Sequence, residues 1–442
     1  MFRKILVACF ILTISSFTVA QEKLINSGPM VGYSTMREVM IWVQTTKQAA
    51  IKFKYNEKGS ERYFYTSNYQ TIKKEAFIAK IIVDNLEPGN VYEYVLCVDG
   101  TEILPEYRQE FQTQKLWQWR EDPAEFTFAT GSCAYINEPE YDRPGTPYGS
   151  DYQIFSAIYE TTPDFMLWLG DNVYLREADW NSRSGIIKRY THDRAIPEMQ
   201  PMLGAMHHYA IWDDHDYGPD NSDRGFWNKK TTLEVFEMMW GNWSYGFNDQ
   251  KCATSFFQWA DCDFFLLDNR TFRTPDKRMN TKREFIGDAQ MDWLIDGLVT
   301  SQAPFKFVVI GSQVLNPANN AESYSAFKEE RAKLFELIHS EKIEGVVFLS
   351  GDVHRTELSR LNRKKAYPFY DFTISPLTSG ITPKEMSKNP LLIEGTQLFK
   401  HNFAEIKISG KSKERKLTCR VIDSHGNEEW VYEITEDELK YK

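Results

Sequence analysis

Five apolar runs in this chain of 442 residues end abruptly in polar side chains, and this pattern constrains the fold most strongly. In the segment DFMLWLGDNVYL, the run Phe165–Leu169 stops at Gly170 and Asp171 follows. A short run of large apolar residues predicts a strand buried on both faces. Similar runs occur in EFTFATGSC, HHYAIWDDHD, KFVVIGSQV and GVVFLSGDVH, with helix-length segments between them. This alternation predicts an α/β layered domain.

The residues that follow these runs are of the types that bind metal ions or transfer protons. Loops beyond the carboxyl ends of neighbouring strands in an α/β sheet converge on one crevice, so we expect groups distant in sequence to meet there. The groups are Ser132, Cys133, Asp171, Asp213, Asp214, His215, Asp216, Ser312, Gln313, Asp352 and His354.

Carboxylates gathered in one crevice repel one another, by several kcal/mol for a pair ~4 Å apart at an effective dielectric constant near ~20. Bound cations remove that penalty. A mixture of Asp, His, Cys and Tyr suits a transition metal, and further carboxylate and amide oxygens suit a harder ion beside it. We therefore predict a two-metal centre. Each Asp alone is more simply a turn or cap residue, so the prediction depends on their co-occurrence.

The segments on either side of this domain have strand-like alternation. Residues 21–115 contain short strand-like runs separated by turn clusters, which predicts a small all-β domain resembling a fibronectin or immunoglobulin-like sandwich. The catalytic domain is predicted over residues 125–442. Its last segments, NFAEIKISG, KLTCRVIDS and EEWVYEIT, predict an antiparallel meander on a sheet edge.

Residues 1–20 have the features of a secretory signal peptide, because Arg3 and Lys4 precede a short apolar run that ends in small residues at Ala20. The run is too short to span a bilayer comfortably, and no later segment approaches the ~20 apolar residues of a membrane helix. We expect an exported soluble protein, periplasmic or extracellular.

The net charge indicates which classes of partner to expect, and the cysteine content indicates how many thiols can form disulfides. The formal charge of −10 is spread along the chain, which argues against nucleic acid and is compatible with bound cations. The expected mature chain keeps five cysteines, Cys97, Cys133, Cys252, Cys262 and Cys419, so at least one thiol stays unpaired. Cys252 and Cys262 flank a predicted hairpin and could form a disulfide. The alternative for each cysteine is a small buried apolar residue. The sequence does not predict the oligomeric state.

The motifs GDNVY, WDDHD, LDNRTFR, GDAQMDWL, SQV and SGDVH, together with Ser132 and Cys133, resemble those of the calcineurin-like metallophosphoesterases. More specifically, the chain is similar to the alkaline phosphatase D (PhoD-like) family. A β-sandwich before the catalytic domain also fits that family. The resemblance implies a metallophosphoesterase-type layered β-sandwich flanked by helices.

The resemblance also implies a set of ligands. Cys133, Asp171, Tyr174 and His354 would bind one metal, and Asp171 would bridge to the second, which Asp214 and Asp352 would bind. A tyrosine ligand is shared in kind with purple acid phosphatases, so Fe(III) is implied at the first site. Oxygen ligands favour Ca²⁺ or another divalent cation at the second site. Gln313 stands where the wider superfamily has a His ligand, and its role stays open.

In the implied reaction, a metal-activated hydroxide attacks phosphorus in line. His215 is the candidate to protonate or stabilise the departing alkoxide. Arg270 and Arg273 follow another apolar run and are candidates to clamp phosphate oxygens. Their alternative role is a solvated surface position or a loop salt bridge. Asn172 and Asp213 are further candidates for the site.

The leading functional prediction is a hydrolase of small phosphate monoesters or diesters. One alternative is a lipid-directed phosphodiesterase with the outcome of phospholipase D. The 12 Trp and 29 Phe residues would fit lipid contact, although such residues more often form a core. Another alternative is an inactive surface-binding protein that uses the β-sandwich, but intact candidate ligands at every motif argue against it.

Overall fold

The computed structural model describes residues 24–318, 322–383 and 388–442. The chain divides into two compact units. The first runs to Lys115 and includes Arg194–His207, and the second comprises Leu116–Asp193 and His208–Lys442. The predicted signal peptide lies outside the described residues. Within those residues, no helix combines the length and apolar character that crossing a membrane requires.

The first unit is built from antiparallel strands, as its alternating sequence predicts. β1, β2 and β6 pair in that order, and β3 pairs with β4, β5 and β7, while β7 also pairs with β8 and β9. Side chains from both groups, including Ile41, Val43, Phe53 and Leu96, form one buried cluster. The strands are β1 Ile25–Ser34, β2 Val39–Thr45, β3 Ala50–Glu57, β4 Phe64–Tyr65, β5 Tyr69–Gln70, β6 Ile78–Val83, β7 Val91–Val98, β8 Thr101–Ile103 and β9 Glu110–Gln112.

The second unit contains strands of two sheets. In one, the strands follow the order β21, β20, β19, β10, β11 and β12, and in the other the order β13, β14, β15, β16, β18 and β17. Their bounds are β10 Phe126–Gly131, β11 Phe165–Leu169, β12 His207–Ile211, β13 Ser255–Trp259, β14 Cys262–Leu266, β15 Lys306–Val309, β16 Val346–Ser350, β17 Glu357–Leu361, β18 Phe369–Thr373, β19 Asn402–Ser409, β20 Lys416–Asp423 and β21 Glu428–Thr435.

Helices connect the strands of the second unit, which confirms the predicted α/β layered class. They are α1 Gln153–Glu160, α2 Arg183–Arg194, α4 Asp214–Tyr217, α5 Lys229–Met239, α6 Asp288–Thr300 and α7 Lys328–Ser340, and the first unit contains α3 Gln200–Ala205. The two sheets contact through aromatic rings: Phe128 lies 5.4 Å from Phe264 and 5.5 Å from Phe307, measured between ring centroids. Such ring pairs add to the stabilisation from apolar burial.

The direction of the strands explains why polar residues gather at their carboxyl ends. In one sheet β10 and β11 are parallel, and in the other β14, β15, β16 and β18 run parallel to one another. All five apolar runs are strands, namely β10, β11, β12, β15 and β16, and each carries its polar residues just beyond its carboxyl end. The C-terminal meander is also confirmed, since β19, β20 and β21 are antiparallel at the edge beside β10.

The disulfide considered between Cys252 and Cys262 is wrong, because both thiols are free and buried. The hairpin itself is present, with β13 paired to β14. Its register places Trp259 opposite Cys262 and Ser255 opposite Leu266. Cys252 precedes Ser255, so the two cysteines lie at opposite ends of the hairpin, beyond the reach of a disulfide.

Candidate metal centre

Four candidate ligands of the first metal lie together in the second unit. The Cys133 Sγ lies 3.5 Å from Asp171 Oδ2, and the Tyr174 hydroxyl lies 3.4 Å from the same carboxylate oxygen. The Tyr174 hydroxyl is also 3.2 Å from His354 Nε2. Sulfur, phenol, imidazole and carboxylate donors therefore point at a common position, which is a donor set suited to a transition metal.

Among the residues that the structure describes, three groups of side chains have their donor atoms close enough to bind a metal ion. Cys133, Asp171 and His354 form one, Asp171, Asp214 and His215 form the second, and Asp213, Asp214 and Asp352 form the third. Asp171 belongs to the first two groups and Asp214 to the last two. Shared carboxylates are what a centre with adjacent cations requires, since each has two oxygens to offer.

The backbone is strained at several of these residues. Cys133, Asp171, Asp352 and His354 have φ of 62°, 50°, 73° and 53°, respectively, although none is a glycine. A non-glycine residue in the left-handed region costs about 1–3 kcal/mol and persists only where the surrounding structure holds it. These residues follow three different strands. Backbone strain of this kind clusters at functional sites.

Gly170 permits the close approach of two of these strand ends. Its φ is +95°, and a Cβ atom on it would lie 2.8 Å from the Cβ of Asp213. A residue with a side chain would therefore push β11 away from the segment after β12. The glycine before Asp171 thus brings Asp171 to the segment that carries Asp213 and Asp214.

Electrostatic repulsion among the buried acids is strong. Burial, followed by the charge of Asp214, raises the pKa of Asp171 well above its usual range. Burial and then Glu322 do the same to the pKa of Asp352. Burial also acts to raise the pKa of Asp214, but His215 and Arg270 outweigh it and hold that pKa at about 2. Cations would remove this repulsion, so the residues present fit a metal centre.

Arg270 is completely buried and holds the acids from one side. Its Nε donates to Asp213 Oδ1, and its guanidinium nitrogen Nη2 lies 3.5 Å from Asp214 Oδ1. Asp213 also accepts hydrogen bonds from Asn269 Nδ2 at 2.9 Å and from Ser312 Oγ at 3.2 Å. Arg270 is therefore placed at the centre, neither on the surface nor in an exposed loop pair.

Arg273 and Gln313 contact residues that belong to none of these three groups. The Arg273 guanidinium lies 4.8 Å from the Phe327 ring centroid and pairs with Asp276 at 3.3 Å. The Gln313 amide donates to Glu357 Oε1 at 2.7 Å and to Thr373 Oγ1 at 3.1 Å. These contacts give both side chains a packing role, and Arg273 acts on the centre through its charge, which lowers the pKa of Asp214.

Asn172 and His215 flank the Asp171 carboxylate. The Asn172 Nδ2 donates to Ile211 O at 2.7 Å and to Asp216 Oδ1 at 3.0 Å, which ties β11 to the segment after β12. The backbone N–H of His215 donates to Asp171 Oδ1 at 3.2 Å. The His215 ring packs against Tyr174, with 4.1 Å between centroids.

Two residues of the site were missed by the sequence analysis. Glu322 lies 3.9 Å from Arg270 Nη2, and burial followed by Asp214 raises its pKa to about 7. The Tyr148 hydroxyl is 3.0 Å from His354 Nδ1, the ring nitrogen opposite the one that faces Tyr174. Such a contact fixes the orientation of an imidazole ligand. Neither residue follows an apolar run, so the pattern that found the other candidates carried no signal for them.

Comparison with solved structures agrees with the fold described above. The chain is similar to a solved structure described as PhoD, with 15% sequence identity, a TM-score of 0.75 and coverage of 93% of this chain and 90% of that one. A purple acid phosphatase, PPD1 from yellow lupin (Lupinus luteus), has 12% identity and a TM-score of 0.64 over 92% of this chain and 74% of its own. These likenesses show that the chain has a metallophosphoesterase-like fold.

Sequence comparison points to one family. Residues 245–426 match the PhoD-like phosphatases, and residues 22–116 match a domain of unknown function, DUF7800. Alkaline phosphatase D of Bacillus subtilis (strain 168) is 21% identical over 330 residues, or 63% of this chain. The chain spans about half the length of that relative, 53%. These matches support the predicted PhoD-like assignment.

Proposed function

We propose that the protein is an exported, metal-dependent hydrolase of phosphate monoesters and diesters with two adjacent metals. The observation that carries the proposal is Asp171, which belongs both to the group with Cys133 and His354 and to the group with Asp214 and His215. One carboxylate joins a set with sulfur and nitrogen donors to a set with oxygen and nitrogen donors. Export rests on the signal-like sequence of residues 1–20.

The donor chemistry suggests which metals would bind. Cys133, Asp171, Tyr174 and His354 would hold Fe(III), because thiolate and phenolate are strong anionic donors. Asp171, Asp214 and Asp352 would hold Ca²⁺ or another divalent cation, which oxygen ligands suit. When bound, the cations would neutralise the phosphate charge and supply a water-derived nucleophile near neutral pH.

The chain's own residues would orient the substrate and handle the proton. His215 lies beside the bridging carboxylate and would donate a proton to the departing oxygen of the ester. Arg270 would hold Asp213 and Asp214 in place and present its remaining N–H groups towards a phosphate oxygen. Asn172 would keep the strand end of β11 in register with the segment after β12.

Hydrolysis by the fully metal-loaded protein tests this proposal. We expect turnover of p-nitrophenyl phosphate, bis(p-nitrophenyl) phosphate or both, and at least a 100-fold loss of turnover in Asp171→Asn. Asp164→Asn is the matched control, because Asp164 lies at the opposite end of the same strand, where its carboxylate accepts a hydrogen bond from Thr127 N at 2.8 Å. No turnover of either ester at full metal occupancy would refute the proposal.

A further inference from the structure

A cavity of about 600 Å³ opens beside the metal centre in the second unit. This volume is typical of sites for small organic molecules, which span roughly 300–1,000 Å³. Tyr174 and His215 line the cavity and also belong to the centre, so the two spaces are continuous. The ring-bearing residues of its wall are Tyr135, Tyr141, Tyr148, Tyr174, Trp180 and His215.

The rings form a continuous surface that begins at the candidate ligands. The centroid of Tyr135 lies 5.0 Å from that of Tyr174 and 5.0 Å from that of Tyr148. Tyr148 reaches His354 through its hydroxyl, and Tyr174 packs on His215. A substituent that leaves the centre on the His215 side therefore meets aromatic rings first.

Most charged side chains of the cavity wall lie beside a group of opposite charge or beside a ring. Arg176 pairs with Asp142 at 2.8 Å and places its guanidinium 3.8 Å from the Tyr135 ring centroid. Asp220, which is exposed, lies 3.6 Å from His215 Nε2. The remaining charged side chains of the wall, Arg143 and Glu177, have opposite signs, so ring contacts rather than a net charge would select the occupant.

We propose that this cavity binds the leaving group of the substrate and favours one that carries an aromatic ring. The inference rests on the proposed function, because the cavity is continuous with the candidate metal centre through Tyr174 and His215. A substituent of a phosphate ester bound at the centre would extend into this cavity. A flat ring gains stacked or edge-to-face contacts with the tyrosines that a short alkyl group cannot make.

Binding of two non-hydrolysable phosphonates to the metal-loaded protein tests the proposal by calorimetry, without turnover. We expect phenylphosphonate to bind about five- to tenfold more tightly than methylphosphonate. Tyr141→Ala should remove most of this preference and leave the affinity for methylphosphonate unchanged, and Tyr141→Phe should retain it. Tyr141 is 39% exposed, and within the described residues its ring is not in contact with a candidate ligand. Loss of its side chain should therefore not disturb the fold.

The matched control is Tyr65→Ala, since Tyr65 is an exposed tyrosine of the first unit. Equal affinity of the wild-type protein for both phosphonates would overturn the proposal, as would an equal loss of both affinities in Tyr141→Ala. If the nitrophenyl esters are still hydrolysed in that case, only the role of the cavity fails. If neither phosphonate binds and neither ester is hydrolysed, the proposed function itself fails.

Discussion

His215 acts on the centre through its backbone and its side chain separately. The backbone N–H holds Asp171, while the ring nitrogen Nε2 lies 3.6 Å from Asp220 Oδ1 and 3.9 Å from Asp214 Oδ2. A substitution of the side chain therefore leaves the hydrogen bond to the bridging carboxylate in place. This separation makes the proposed proton transfer testable without dismantling the metal centre.

We expect His215→Gln to lower kcat by roughly 10²–10⁴-fold while the metal content stays at the wild-type level. The loss should be larger for an alkyl phosphate than for p-nitrophenyl phosphate, because nitrophenolate departs without needing a proton. Steady-state kinetics on both esters, with metal analysis, measure this. His339→Gln, at an exposed histidine near the end of α7, should have wild-type rates. An equal loss on both esters would exclude His215 as the proton donor.

At the scale of the elements, Gly170 sets how closely β11 approaches the segment after β12. Gly170→Ala places a Cβ within 2.8 Å of Asp213 and forces a positive φ on alanine. We expect a loss of unfolding free energy of about 2–4 kcal/mol, from strain and displacement of Asp171 together, and weaker metal binding. Urea unfolding and metal titration measure the two effects.

Gly426→Ala is the matched control for this strain. Gly426 also has a positive φ, +85°, but a Cβ on it would meet nothing within 4 Å. We expect it to cost only the backbone strain of about 1–2 kcal/mol and to bind metal normally. Equal metal binding in Gly170→Ala and Gly426→Ala would show that close packing at Gly170 does not position Asp171.

A buried histidine in the first unit makes the stability of the protein depend on pH. Burial lowers the pKa of His207 to about 4. Its Nδ1 bonds to Gly32 O at 2.7 Å and its Nε2 accepts from the Gln112 N–H at 3.1 Å, so the neutral ring satisfies both bonds. A histidine in the unfolded chain has a pKa of about 6.5. At a pH between these two pKa values, the unfolded chain therefore binds a proton that the folded chain does not.

Stability of the wild-type protein should therefore fall as the pH falls from about 6.5 to 4, and this histidine contributes up to ~3 kcal/mol of that fall. His207→Gln should show a smaller fall over the same interval, whatever its stability at neutral pH. Urea unfolding followed across this interval measures the slope. The same slope in both proteins would contradict the assignment.

For the whole molecule, the strands of the centre were predictable because buried strands are uninterrupted apolar runs. The five runs are β10, β11, β12, β15 and β16, and the candidate ligands follow them directly. Cys133 follows β10 and His354 follows β16, so the expectation that strand ends converge on one crevice placed both residues in the site. That the two strands belong to different sheets was not predictable from this rule.

Other features depend on tertiary packing and were not predictable. Glu322 and Tyr148 lie in loops with no preceding apolar run, and only the fold brings them to Arg270 and His354. The register of the β13–β14 hairpin, which separates Cys252 from Cys262, is set by packing of its faces and not by the spacing of the cysteines. The aromatic cavity likewise collects residues from separate loops.

The metal content of the purified protein, measured together with its visible spectrum, tests the proposed metal centre. We predict bound iron and a tyrosinate-to-iron charge-transfer band that colours the protein. Tyr174→Phe should abolish the band, and Tyr135→Phe, at the neighbouring ring 5.0 Å away, should keep it. A colourless protein that hydrolyses phosphate esters without iron would contradict the proposed metal at Cys133, Asp171, Tyr174 and His354.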